Sequence, residues 1–231
     1  MSATPVGAVD ASPRRERFAR ALRGCGPLGW IAFLVVTAGA LVVMPLGGLL
    51  VVLWARLSRT PWRDIGYVCP KSWAWTLVAA VPAGAALKVF MKAVVMPLLG
   101  ADPVNHTFHY MAGNPGAVAE FAVYAVIGAG WGEETFFRGY LFERLGRLLG
   151  SSTAAKVAIV VATTAVFGSL HYAQGWAGIA QAMIVGLVFA AVFAVTGRLV
   201  PLMIAHAAFD LTAAAMIYYD AETRIAHLLF R

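Results

Sequence analysis

The chain has 231 residues, 61% hydrophobic and 13% charged, with a formal net charge of +7 and a mean hydropathy of +0.76. Soluble domains average about 45–50% apolar and about 25% charged residues, so this balance excludes an ordinary soluble domain. The positive charge falls in two groups, Arg14, Arg15, Arg17, Arg20 and Arg23, then Arg56, Arg59, Arg63 and Lys71. Such groups read as topology signals and contacts to anionic membrane lipids. The pattern offers neither a basic face nor a stacking platform, so nucleic acid is not expected as a partner.

The apolar excess lies in long runs. The expected fold class is all-α, a polytopic transmembrane helical bundle of about six transmembrane helices of roughly 20 residues each, plus interfacial helices. Residues 1–26 read as a disordered, basic N-terminal segment with a short surface helix over 14–23. Residues 27–231 read as a single transmembrane domain with a protease-like core at about 115–215, and a monomer is expected. The run from Leu28 to Ala55 is too long for the apolar core of a cleavable leader and reads as a retained first helix. It exceeds what a bilayer requires, which predicts tilt, extension beyond the lipid, or a bend near Pro45-Leu46-Gly47-Gly48.

Residues 56–72 follow as an interfacial connection carrying Trp62 and Tyr67. Helix two is expected over 73–99, with Pro82 inside it and Lys88 and Lys92 one turn apart. Lysines near helix ends extend to the interface by default. Residues 100–115 form a loop with Asp102, His106 and His109 but no Lys or Arg. Helix three begins near Pro115 and continues, or restarts, through Trp131 to Leu149. Helices four, five and six are expected over 153–172, 177–196 and 200–219, and a short, weakly amphipathic tail follows. Cys25 and Cys69 have no CxxC spacing and suggest no disulfide framework.

Loop 100–115 is expected outside, and Arg144, Arg147, Lys156 and Arg198 inside. Helix one conflicts with that alternation, because both its ends are basic. Either the N-terminus lies outside despite its arginines, or the 28–55 run does not cross simply.

Ionisable residues recur in three later apolar segments. Charge at membrane depth is expensive and usually faces a protein cavity. In Glu133-Glu134-x-x-x-Arg138, helical spacing lets Glu134 and Arg138 pair, while Glu133 is rotated by about 100° and can face a cavity. Arg138 can hold Glu134 ionised and orient it, leaving Glu133 to accept a proton from water. Taken alone, the same pair also fits an ordinary ion pair at a helix end. Phe167-x-x-x-His171 closes helix four, with Phe167 expected against the imidazole. His206-x-x-x-Asp210 puts an imidazole and a carboxylate on one face of helix six, where Asp210 can fix the His206 tautomer or share a ligand with it. A structural polar clamp between helices would use the same residues. Gln181 and Glu120 are further candidates for lining a cavity.

In that order and on successive segments, these three motifs resemble the CPBP family, the intramembrane proteases that include CAAX prenyl endopeptidases and bacteriocin-processing (Abi) proteins. The resemblance covers roughly residues 115–215 and includes Arg138-Gly139-Tyr140-Leu141-Phe142. It implies an intramembrane endopeptidase acting on a membrane-associated or lipidated peptide, in a multi-pass protein of a cell membrane, with a bacterial inner membrane expected. It also implies roles. Glu133 is the general base, activating water with His171. Glu134 and Arg138 hold the geometry. His206, backed by Asp210, stabilises the oxyanion. The prenyl-processing branch typically has Asn where this chain has Asp210, and an ionised aspartate cannot donate a hydrogen bond to an oxyanion. The family is often described as metalloproteases, and Glu133, His171 and His206 can ligate one divalent ion such as Zn2+ with an open fourth position. There is no HExxH, and a metal-free glutamate mechanism fits the same residues.

Two other functions use such a cavity. A non-proteolytic binding or immunity partner would need no acid, base and orienting set. A proton-coupled transporter would predict inverted repeats, which the sequence does not display.

Overall fold

The apolar run at 28–55 is not one helix. The computed structural model, which describes residues 12–230, divides it into α2 (Pro27–Val42) and α3 (Met44–Leu57), with Val43 extended between them at φ −156°, ψ 127°. Pro45 lies in the first turn of α3, where its missing N–H costs no helical hydrogen bond. The two helices fold back on each other. A Cβ at Gly47 would lie 2.5 Å from the Ala40 side chain, so only glycine permits this approach. The basic helix α1 (Pro13–Arg23) returns to the far end of α3. There Trp54 Nε1 donates to Leu22 O at 3.2 Å, and Arg59 Nη1 donates to Glu16 Oε2 at 3.0 Å.

Both ends of the hairpin therefore lie together, which resolves the conflict between charge and topology. The 28–55 run does not cross simply, and its two basic groups share one side. Arg144 joins them, donating to the Arg23 and Gly24 carbonyls at 2.6 and 2.9 Å. Disorder is expected for residues 1–13; of these, 1–11 lie outside the described residues, and Pro13 begins α1.

The remaining elements follow the expected order. Helix α4 spans Trp73–Leu98, with Ser72 accepting from Trp75 N as its cap. Helix α5 (Pro115–Val123) passes without a break into a π-helical stretch, Tyr124–Leu141, and then into α6 (Phe142–Leu149). Helices α7 (Thr153–Ser169), α8 (Gly175–Thr196) and α9 (Val200–Tyr218) follow, and then the short α10 (Glu222–Ala226). The described residues are all-α, the architecture of a helical membrane bundle.

Among the described residues, α4, the segment Tyr172–Thr196 and α9 are long and apolar enough to cross a bilayer, and α1 with α2 counts as a fourth if that bent pair is one span. Fewer than the expected six qualify, for three physical reasons. The first run is broken at Val43. Helix α7 has only 17 residues. The rod from Pro115 to Leu149 carries buried charge.

Helix α9 packs along α4 and the π stretch, and α7 along α8. One core layer joins Trp54, Phe136, Phe137, Tyr140 and Phe167. Another joins Phe189, Phe193, Leu199, Leu202 and Phe209. Lys88 and Lys92 do not extend to an interface. They are 6% and 8% exposed, and Lys92 Nζ donates to Glu222 Oε1 at 2.8 Å. Glu222 also accepts from Asn105 N at 3.2 Å, so the tail is tied to α4 and to the preceding loop.

Candidate active site

The π stretch supplies the first motif. Its i→i+5 hydrogen bonding is rare and is often found at functional sites. Glu134 and Arg138 are 0% and 1% exposed, and Arg138 Nη1 donates to Glu134 Oε1 at 2.9 Å. Arg138 Nη2 donates to Gly186 O at 3.1 Å, and its guanidinium carbon lies 4.7 Å from the Phe167 ring centroid. An uncompensated guanidinium at this depth would be costly, and these contacts satisfy it.

His206 completes the arrangement from α9. Its Nδ1–H donates to the same Glu134 Oε1 at 2.7 Å. That bond leaves Nε2 facing two carboxylates, Glu133 Oε2 at 3.8 Å and Asp210 Oδ2 at 4.0 Å. The expected partner for His206 was Asp210, one turn away on the same helix. Its hydrogen-bond partner is instead Glu134, because α9 packs against the π stretch at that level and brings the buried carboxylate closer.

His171 lies just beyond the end of α7 rather than inside it. Its Nδ1–H donates to Phe167 O at 2.8 Å, which caps the helix end and turns Nε2 away from that carbonyl. The Phe167 ring packs against the His171 ring at 4.8 Å between centroids and lies 6.2 Å from His206. Phe167 thus joins the second and third motifs and also covers Arg138.

A cavity of about 130 Å³ is lined by Glu133, His171, His206 and Asp210, together with Tyr124, Phe167 and Lys88. Glu133, His171, His206 and Asp210, which come from three segments, open onto one space. Glu134 and Arg138 lie behind it. Gln181 also lines this cavity, whereas Glu120 is exposed.

Two contacts here have no signal in the motif spacing. Tyr124 OH donates to Glu133 Oε1 at 3.3 Å from nine residues earlier. At roughly 100° per residue, an α-helix would set residues nine apart on opposite faces. The wider π winding brings them onto one. Similarly, the Tyr67 and Thr135 hydroxyls lie 2.7 Å apart, which ties the interfacial connection to the residue after Glu134.

Nδ1 of His206 is held by Glu134 and Nδ1 of His171 by a carbonyl, which leaves Nε2 as the free nitrogen of each ring, an arrangement that metal-ligating histidines also use. Among the described residues, no three His, Cys, Asp or Glu side chains are grouped closely enough to hold a metal ion.

The hairpin reaches the site from the other side. A Cβ on Gly132, the residue before Glu133, would lie 3.1 Å from Met44 O at the hairpin tip. The α2–α3 turn therefore backs the start of the first motif.

No curated protein and no solved structure gives a significant match to the chain. Residues 115–212, the segment that carries all three motifs, match the family model described as Rce1-like, type II CAAX prenyl endopeptidase Rce1-like, so this part of the chain is similar to that family.

Proposed function

We propose that this protein is an intramembrane endopeptidase that hydrolyses a peptide bond of a membrane-associated or lipidated peptide. The observation that carries this reading is the shared cavity, onto which a carboxylate, Glu133, opens beside two imidazoles. Glu133 takes a proton from water as the water oxygen attacks the peptide carbonyl carbon. His171, with Nδ1 committed to Phe167 O, offers Nε2 to the same water. His206 acts as an imidazolium: Nδ1–H is held by Glu134, and the second proton, on Nε2, is donated to the carbonyl oxygen as its negative charge develops. Glu133 then returns the proton to the leaving nitrogen. Glu134 and Arg138 do not touch the reacting atoms in this scheme. They fix His206 and keep the buried charge balanced.

Asp210 is assigned an electrostatic part beside His206 rather than oxyanion binding, since a carboxylate has no proton to donate. The water-activating step is written with side chains alone. The chain works as a multi-pass monomer in a cell membrane, with a bacterial inner membrane as its setting and lipids around it. The family match favours hydrolysis over a binding or immunity role, because pure binding would not require the acid, base and orienting set.

The test is incubation of the purified protein in nanodiscs with an N-palmitoylated octapeptide ending Ala-Val-Ile-Leu, in water enriched in oxygen-18. Hydrolysis predicts a fragment pair whose new carboxylate carries one heavy oxygen. Intact peptide after prolonged incubation with folded protein, across a panel of such sequences, rejects the reading.

A further inference from the structure

The two ends of the bundle differ in charge. Arg144 reaches the Arg23 and Gly24 carbonyls, and Arg63, Arg147 and Lys156 line one cavity, so both basic groups, α6 and the start of α7 share one face. Leu199 N donates to Gly66 O at 2.9 Å, which puts the neighbouring Arg198 at that face too. At the opposite end, Gly113 N donates to Tyr218 O at 3.1 Å and Asn105 N donates to Glu222, so loop 100–115 meets the end of α9 and the tail. Neither that loop nor the 170–175 connection contains Lys or Arg, and Arg224 is the one Lys or Arg of the described tail. Connections rich in Lys and Arg stay on the cytoplasmic side of a membrane. The face that carries loop 100–115 is therefore the outer one.

The cavity that holds Glu133 is closed toward the arginine face. Ile65, Tyr140 and Leu199, all 0% exposed, fill the bundle beyond Arg138 on that side. A Cβ at Gly139 would lie 3.1 Å from Ile65 O, so the interfacial connection sits directly on the π stretch there. On the outer side, Asn105, Phe108 and Met111 of loop 100–115 line the cavity itself. Asn105, Gln174 and Gln181 also line a second space of about 180 Å³, which Asp102, His106 and Thr107 line as well. The Asp102 and His106 side chains are 59% and 73% exposed, so this second space reaches the outer surface. A series of polar side chains thus leads from that surface to the catalytic cavity. Water and a peptide backbone need such a series, because an unpaired polar group is costly in an apolar region.

We propose that the catalytic cavity opens to the outer face of the membrane, and that its substrate is a peptide anchored in the outer leaflet rather than a lipidated tail on the cytoplasmic side. The inference rests on the peptidase reading for its substrate. The face rests on the charge asymmetry and on the closed inner side. The order of events follows from it: a peptide made in the cytoplasm must be exported, or inserted across the bilayer, before this site can cut it.

The test uses the full chain, with Cys25→Ser and Cys69→Ser, in right-side-out and inverted membrane vesicles. One cysteine at a time is added through Thr107→Cys or Ser151→Cys, both at exposed positions, or Ala213→Cys, which lines both cavities. In right-side-out vesicles a membrane-impermeant methanethiosulfonate should modify Thr107→Cys and Ala213→Cys at least tenfold faster than Ser151→Cys. Inverted vesicles should reverse that order. Modification of Thr107→Cys or Ala213→Cys from the inner side alone overturns the proposal. The Thr107→Cys and Ser151→Cys pair carries the labelling test if Ala213→Cys fails to fold. The N-palmitoylated octapeptide ending Ala-Val-Ile-Leu is then added to each kind of vesicle, where it enters the leaflet it meets. Right-side-out vesicles should cleave it at least tenfold faster than inverted ones, and equal or slower cleavage overturns the proposal. The two readings fail separately. Outer labelling without cleavage by either kind of vesicle keeps the outward opening and rejects hydrolysis. Cleavage by inverted vesicles alone keeps hydrolysis and rejects the outer-face site.

Discussion

His206 Nδ1–H donates to Glu134 Oε1 at 2.7 Å across 72 residues of sequence. The same oxygen accepts from Arg138 at 2.9 Å. One buried carboxylate therefore fixes the orientation of the imidazole and balances a buried guanidinium. The geometry of the site depends on Glu134 even though Glu133 faces the cavity.

Replacing Glu134 should separate these two tasks. Glu134→Gln keeps an acceptor but removes the charge, and should lower kcat about 100-fold, or about 2.7 kcal/mol in the barrier, with KM little changed. Glu134→Ala also leaves Arg138 buried without its partner, which typically costs about 3–5 kcal/mol of stability. Steady-state kinetics and thermal unfolding in detergent measure the two effects. A Glu134→Ala protein as stable as the unmutated one would contradict the buried-pair account.

Tyr124 reaches Glu133 only because of the π winding. Tyr124→Phe removes its hydroxyl and the donor to Glu133 Oε1. A hydrogen bond to a charged group contributes about 1.5–3 kcal/mol, so kcat should fall by roughly 10- to 100-fold. Unchanged kcat would mean that this hydroxyl does not act on the base.

The proposed side-chain mechanism predicts that cleavage does not depend on a divalent ion. Treatment with 1,10-phenanthroline followed by desalting should leave the rate within twofold, with no stoichiometric zinc in the active protein. Loss of activity that zinc restores, together with zinc binding abolished in both His171→Ala and His206→Ala, would require the donors to rearrange around a metal.

The hairpin makes a prediction about topology. Cys25 precedes α2 and Cys69 follows α3, and both are exposed and free. Because the hairpin returns on itself, a membrane-impermeant maleimide should label both from the same side. Single-cysteine variants in right-side-out and inverted vesicles measure this. Labelling from opposite faces would mean that the 28–55 run crosses once.

Close packing of α4 against α9 depends on Gly84. A Cβ there would lie 2.0 Å from Ala205 O, immediately before His206. Gly84→Ala should destabilise the protein by about 1–3 kcal/mol through overpacking, and should lower activity by displacing His206. Gly146→Ala is the control, since nothing lies within 4 Å of a Cβ there. In a helix it should be neutral or slightly stabilising, by up to about 1 kcal/mol.

Much of the fold was legible because the signals are local. Apolar run length gave the order of the helices, and the i,i+4 spacing of Glu134 and Arg138 anticipated their pairing. The break at Val43 was visible only as a possible bend at Pro45, and the unresolved basic ends of helix one were its clearest trace. The π winding has no residue signature, so Tyr124 was missed. The Glu134 bond to His206 and the Glu222 bond to Lys92 cross between helices. Their register is set by packing, and local spacing pointed instead to Asp210 and to the membrane interface.

The most direct measurement is cleavage of a membrane-anchored peptide by the Glu133→Gln protein beside the unmutated one, with thermal unfolding of both. Glu133 acting as the base predicts a fall in kcat of at least 1000-fold, about 4 kcal/mol, with the unfolding midpoint unchanged. A folded Glu133→Gln protein that cleaves within tenfold of the unmutated rate would contradict it.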